Sequence, residues 1–174
     1  RDNMLSRLEL AQQDLTQQVS DLELLQDLSN RLLQMPALDD QLQAILDVLC
    51  TLHGSSHGLV MLSDGSAPLR IHASSGFSDD SLAFMDNLEP GASPCGMAVK
   101  DGTRVTLAST ETEPRFGDLV AISRSEGFRS VHSTPIRHSD NSVLGTITVH
   151  GAAPRLPTAR EIRLADLAAG IAAV

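Results

Sequence analysis

Two cysteines and six histidines are the residues of this chain whose types best suit chemistry. Cys95 follows Ser93-Pro94, a pair that reads as a helix N-cap and first helical position. In the first turn of a helix, the dipole and the free N–H groups favour a thiolate. The alternative is a small side chain buried under covering loops, and that reading is preferred. Cys50 falls on an apolar helix face and reads as core. Two thiols without regular spacing indicate a reduced, cytosolic chain rather than a disulfide framework. His53 and His57 flank Gly54, a turn with poor geometry for a shared ion. His72, His132 and His150 fall on separate expected strands, without an H-x-H pair or an i,i+4 pair inside a helix. They are read as ordinary strand histidines and no metal is expected, with His132 able to serve as a hydrogen-bonding group in a pocket wall.

The elements that must position these residues are legible from pattern. Residues 3–34 hold no Gly or Pro and are rich in Leu, Gln, Asp and Glu, which suits one long helix. Leu5, Leu8, Leu15, Val19 and Leu22 alternate three- and four-residue steps, with Gln12 in the one missing seat. That is a coiled-coil seam. The step from Leu22 to Leu25 inserts an extra three, a stammer, after which Leu28, Leu32 and Met35 continue. An amphipathic helix packed on its own domain is the competing reading. An intermolecular coil is preferred, because the first 20 residues precede anything they could pack on. Pro36 ends the helix. A second helix is expected over 38–52, with Leu42, Ile45, Leu46 and Leu49 on one face and Gly54 behind it.

The period then changes to two. Strands are expected over 57–64 and 69–75, turning at Asp64-Gly65. Ser78 caps a short helix over 79–87, and a brief helix from Pro94 stops at Gly102. A strand over 104–108, a helix over 118–126 ended by Gly127, and strands over 128–138 and 142–151 follow. Thr158 and Glu161 form a capping box for the last helix, which carries Leu164, Leu167 and Ile171. Hairpins rather than regular βαβ units imply an α+β fold with an antiparallel sheet flanked by helices. The expected organisation is a coiled-coil signalling helix over 1–35 and a domain over 36–174 that ends in a helix. The chain starts at Arg1 and stops at Val174 inside a helix, so it reads as a piece of a longer protein.

Composition narrows the partners. A net charge of −9 and a pI of about 4.9 repel nucleic acid phosphates and anionic lipid. Aromatics are 2% of the chain, with no Trp or Tyr, so stacking platforms for single strands are missing. No apolar run approaches the roughly 20 residues of a membrane span. Nucleic acid and direct membrane contact are therefore not expected, and the location is read as cytoplasmic.

One stretch of sequence carries a family resemblance. SPCGMAVKDGTRV is followed by ETEPRFGDLVAISRSEGFRSVHSTPI and then SVLGTITVHG. The order and spacing resemble bacterial GAF domains, over roughly Leu24 to Val174, and most of all those of sensor histidine kinases and related multi-domain regulators. The resemblance implies a sheet of five or six antiparallel strands. It implies terminal helices on one face and, on the other, a small-molecule pocket roofed by short helices and loops. Pocket candidates are Phe77, Phe84, Cys95, Met97, Phe116 and Phe128, near His132. The dimer interface is expected at Leu5, Leu8, Leu15, Val19, Leu22 and Leu25, joined by Leu164, Leu167 and Ile171 of the last helix.

Departures from the family's motifs restrict the ligand. The cyclic-nucleotide motif of some GAF domains is missing, and the stretch Ala121–Gly127, AISRSEG, lacks the cysteine that bilin-binding members use. No cofactor is expected. Cys95 in PCGMA resembles a cysteine of free-methionine-sulfoxide reductase, but the following loop, ASTETEPRFGD, has none of the further cysteines that thiol chemistry needs. The expected function is a sensory GAF module that dimerises and relays its state to a C-terminal effector such as a histidine kinase. A ligand-free structural dimeriser is the alternative. A thiol redox sensor or reductase acting through Cys95 ranks lower.

Overall fold

The structure, a computed structural model, describes residues 1–63, 68–86 and 90–173. The expected turn at Asp64-Gly65 and the residue Asn87 lie outside them. Helix α1 runs over Asp2–Leu32 and stops short of Pro36. Helix α2, Leu38–His53, begins with Asp39 and Asp40 in its first turn and closes on Gly54 at φ 62°. Strands β1 (His57–Leu62) and β2 (Arg70–Ser75) follow, then helix α3 (Asp79–Met85), capped by the Ser78 hydroxyl. Helix α4, Pro94–Asp101, is capped by Ser93 and ends at Gly102 in the left-handed region. Strand β3 is Val105–Leu107, and a 3-10 turn at Pro114–Phe116 leads into helix α5, Gly117–Glu126. Strands β4 (Ser130–Arg137) and β5 (Val143–Gly151) precede helix α6, Ala159–Ala172, which carries the full Thr158/Glu161 capping box.

The five strands form one antiparallel sheet in the order β2-β1-β5-β4-β3. Each face has its own core. On one face α1, α2 and α6 pack Leu28, Leu42, Leu46, Leu49 and Leu164 onto Val60, Ile136, Ile147 and Val149. On the other, α3, α4, α5 and the 114–116 turn roof Leu59, Met61 and Val131 with Met85, Cys95, Phe116, Leu119 and Phe128. Helix α2 sits close on the sheet because position 58 is glycine. A Cβ there would lie 2.7 Å from Cys50 Sγ and 2.7 Å from Leu46.

The stammer in α1 has a structural meaning. Up to residue 20 the helix is exposed throughout, a length of about 28 Å at about 1.5 Å per residue. From Asp21 onward one face is buried in the helical layer through Asp21, Leu25 and Leu28, with Leu32 partly buried against it. Asp21 accepts from Arg160 Nε at 2.8 Å and Arg160 Nη2 at 2.9 Å, which ties α1 to α6. The Arg160 hydrogen bonds, joined by one from Gln17, hold the Asp21 carboxyl below its ordinary range against the opposing effect of burial. Leu25 therefore belongs to the chain's own core rather than to the expected seam, and so does Leu164, 3% exposed. Three successive three-residue steps, from Val19 through Leu22 and Leu25 to Leu28, swing the apolar stripe round the helix and onto the domain. Leu167 remains 45% exposed and Ile171 is half-buried against the helical core.

Candidate functional site

The roof side was the expected ligand pocket. Phe116 and Phe128 are buried there, and Met97 and Phe77 are half-buried. Phe77 meets Phe128 edge-on at 5.9 Å and His150 at 5.0 Å, and His150 packs on Phe128 at 4.6 Å. Phe84 faces solvent on α3 at 47% exposure and frames nothing. Among the described residues a cavity of about 20 Å³ lies under the roof, lined by Leu59, Met61, Met85, Cys95, Leu119 and His150 among others. That is room for about one water. Among the described residues, the space expected for an apolar pocket is filled largely by these side chains. Cys95 Sγ lies 3.2 Å from Thr148 Oγ1 and 3.7 Å from Ser133 Oγ, a polar cluster inside this core.

His132 is not part of the roof. It faces the helical layer, and the histidines on the roof side are His150, paired with Val131 in the register, and His57, 4.9 Å from the Phe77 ring. Val131 and Ser133 point to the roof, and His132 and Ile136 point away from it. The expected strand began at Phe128, which would have put Phe128 and His132 on one face. The observed strand starts at Ser130, so Phe128 does not share its alternation.

His132 lines a cleft of about 210 Å³ between the end of α2 and the start of α6. Its walls include His53, Gly54, Ser130, His132, Arg155 and Glu161. The His53 and His132 rings are 5.7 Å apart. His53 Nδ1 lies 3.1 Å from the Leu49 carbonyl, and Arg104 Nε donates to His132 Nε2 at 2.8 Å. Burial pulls both imidazole pKa values down, that of His132 to about 3, where His53 and Arg104 add to the effect. Both rings are therefore neutral near pH 7. Glu161 accepts from Arg155 at 2.5 and 2.7 Å and from the Thr158 backbone N–H at 2.9 Å. These bonds to Arg155 hold its carboxyl at about 2 despite burial. Arg104 also pairs with Asp166, so His132 is one residue removed from α6.

Sequence reasoning placed His132 in a pocket wall but missed its partners. His53 read as a turn flank and Glu161 as a cap, and neither pattern signals that α2 and α6 end side by side. Among the described residues no group of three or more His, Cys, Asp or Glu side chains is gathered for a metal ion. Cys50 and Cys95 are both free and lie in the cores on opposite faces of the sheet. Among the described residues no helix is long and apolar enough to cross a membrane.

An antiparallel sheet with long terminal helices on one face and short roofing helices on the other defines a class of small α+β domain. The family model of the GAF domain matches residues 37–174, and the chain belongs to that family. No curated protein sequence matches it. Solved structures agree in fold. The GAF domain of a phosphoenolpyruvate-protein phosphotransferase from Coxiella burnetii aligns at TM-score 0.74 and 16% identity, covering 88% of this chain and 90% of that one. The GAF domain of a putative sensor histidine kinase from Pseudomonas syringae pv. tomato aligns at TM-score 0.67 and 22% identity, covering 94% and 90%. Free methionine-R-sulfoxide reductase from Neisseria meningitidis, solved with its substrate, aligns at 0.67 and 18%, covering 88% and 89%.

Proposed function

We propose that this chain is a cytoplasmic regulatory module that forms a parallel homodimer through α1 and relays its conformational state to a C-terminal effector such as a histidine kinase. One observation carries the reading. At about 100° per residue, Asp21, Leu25, Leu28 and Leu32 centre roughly 130° round the helix from Leu5, Leu8, Leu15, Val19 and Leu22. The buried foot of α1 thus turns the apolar stripe away from its own domain. Leu5, Leu8, Leu15, Val19 and Leu22 are 59%, 61%, 62%, 47% and 57% exposed. A soluble chain rarely leaves such a stripe uncovered, and its seam spacing is self-complementary. The foot also meets both α2 and α6, and Asp21–Arg160 fixes it to the helix that leads out of the domain. A change in the domain that moves α6 is thereby passed to α1.

The filled roof supports a second reading, in which the dimer only spaces its neighbours and senses nothing. Catalysis by a thiol cycle has less support, since Cys95 and Cys50 are held on opposite faces of the sheet. Leu15→Asp tests the dimer. It sets two carboxylates against each other across the seam at a cost of about 3 kcal/mol or more. The expected outcome is a monomer by light scattering with an unchanged circular dichroism spectrum outside α1. A wild type that is already monomeric at tens of micromolar, or a variant that stays dimeric, overturns the assignment.

A further inference from the structure

Where α6 passes the end of β4, a groove of about 390 Å³ is lined by Thr103, Arg104, Pro135, Arg137, Asp166 and Gly170, among others. The sheet leaves this place open. β3 pairs with β4 only up to Ser133, so residues 134–137 overhang, and Pro135 has no N–H to offer a further strand. Arg137 stands in the overhang. Its guanidinium lies against the chain next to Thr103, since a Cβ on Gly102 would sit 3.4 and 3.5 Å from its two terminal nitrogens. Arg70, Arg115, Arg124, Arg155 and Arg160 each pair with a carboxylate, and Arg129 donates to the Ser123 and Phe128 carbonyls. Arg104 donates to His132 and pairs with Asp166. The half-buried Arg137 guanidinium carries five N–H donors, and none of them has an acceptor among the described residues.

A second observation lies on the α6 wall. Gly170 is exposed inside the helix, and a Cβ added there would meet nothing within 4 Å. Glycine inside a helix is destabilising relative to alanine, and no packing among the described residues requires it here. The wall is open where an occupant would lie. Charge narrows the occupant. Two guanidiniums against the Asp166 carboxylate leave the groove one positive charge. A monoanion balances it, whereas a phosphate dianion would overshoot it in a chain of net charge −9. The flat fork of an arginine matches the two oxygens of a carboxylate. The volume falls in the range of about 300–1,000 Å³ typical of small-molecule sites. We propose that this groove binds a small aliphatic monocarboxylate, its carboxylate forked on the Arg137 guanidinium and its hydrocarbon part against Pro135 and Gly170. Asp166 and Gly170 belong to α6, so the occupant meets the helix through which the relay reading passes its signal. Only this consequence rests on the relay reading; the binding itself does not.

The test uses the full chain with nitrogen-15-labelled arginine at fixed ionic strength. Butyrate is titrated in, with butyramide and inorganic phosphate as comparisons. Butyrate is expected to shift the Arg137 Nε–H resonance saturably, butyramide to leave it unmoved, and phosphate to bind more weakly. Gly170→Leu puts a side chain into the free space of the groove and raises helix propensity. It is expected to abolish the shift with the circular dichroism spectrum unchanged. Should that variant fold poorly, Arg137→Gln is expected to weaken butyrate binding about tenfold or more, followed on the Arg104 Nε–H resonance. Arg163→Gln, exposed on α6 and outside the groove, is expected to change nothing. Shifts that stay linear with concentration, an equal response to butyramide, or phosphate binding as tight as that of butyrate each overturn the proposal. So does butyrate binding at wild-type strength in a folded Gly170→Leu or Arg137→Gln protein. Light scattering on the same samples reads the dimer separately, so failure of one reading is distinct from failure of the other. A Gly170→Leu variant that changes the oligomeric state, with no effect of butyrate on Arg137 in the wild type, would place a second copy in the groove and overturn the proposal.

Discussion

Replacing Glu161 with Gln isolates the charge of one buried carboxylate. Glutamine keeps a side-chain oxygen that can accept from the Thr158 N–H, so the capping box survives. What is lost is the ion pair with Arg155. The Arg155 hydrogen bonds hold the Glu161 pKa at about 2 against an ordinary 4.5. At about 1.4 kcal/mol per pH unit, that displacement sets a ceiling of about 3 kcal/mol. Glu161 is 7% exposed but Arg155 is 44% exposed, so solvent screens the pair and about 2 kcal/mol is the working figure. The sign follows from linkage. The folded pKa lies below the unfolded one, so the stabilisation is complete above pH 4.5 and is lost as the pH falls toward 2. Urea unfolding followed by circular dichroism, at one fixed protein concentration, compares wild type and Glu161→Gln at pH 7 and pH 3. The expected gap is about 2 kcal/mol at pH 7 and less than half of that at pH 3. An equal gap at both pH values refutes the argument, because the cost would then be one of packing rather than charge.

Two further outcomes follow from the two cores. Burial pushes the Cys50 thiol up to about 12, with Asp47 adding to it, and Cys95 is 5% exposed, so both are expected to react with an aromatic disulfide reagent far more slowly than free cysteine. Both should become reactive in denaturant, and mild oxidation should yield no intrachain disulfide by mass spectrometry. Fast native labelling of Cys95 would revive a redox role. Incubation with a bilin or haem is expected to leave the protein without visible absorbance after gel filtration, since the 20 Å³ cavity under the roof cannot admit either. A retained coloured band would mean that the roof opens.

Much of the fold was legible in local pattern, because the signals are local in their physics. Caps are satisfied within four residues, so Ser78, Ser93 and the Thr158/Glu161 box marked three helix starts. Gly54, Gly102 and Gly127 marked three helix ends, where the chain takes a positive φ. The apolar face of α2 and the period of two in β1 and β5 declared burial without naming the partner. The motifs from SPCG to VLG carried the family because their order, not any one of them, is specific.

Tertiary structure decided what lies beyond the reach of a local signal. Alternation along a strand says which residues share a face, but not which face meets which layer; that depends on which helices pack on each side of the sheet. Phe128 lies before β4 and outside its alternation, so it reaches the roof while His132 faces the helical side and His150 lies with the phenylalanines. The apolar stripe continued past the stammer to Leu25, yet whether a leucine faces a partner or its own core depends on where the domain's other helices lie. Helices α2 and α6 place Leu25 and Leu28 inside and leave Leu15 and Leu22 outside. The resemblance implied a pocket under the roof, but side-chain volume fills space in three dimensions, and among the described residues the cavity there is about 20 Å³. The cleft at His53, His132 and Glu161 joins residues as far as 108 positions apart, His53 to Glu161. Only the closing of α2 and α6 over β4 and β5 brings them together.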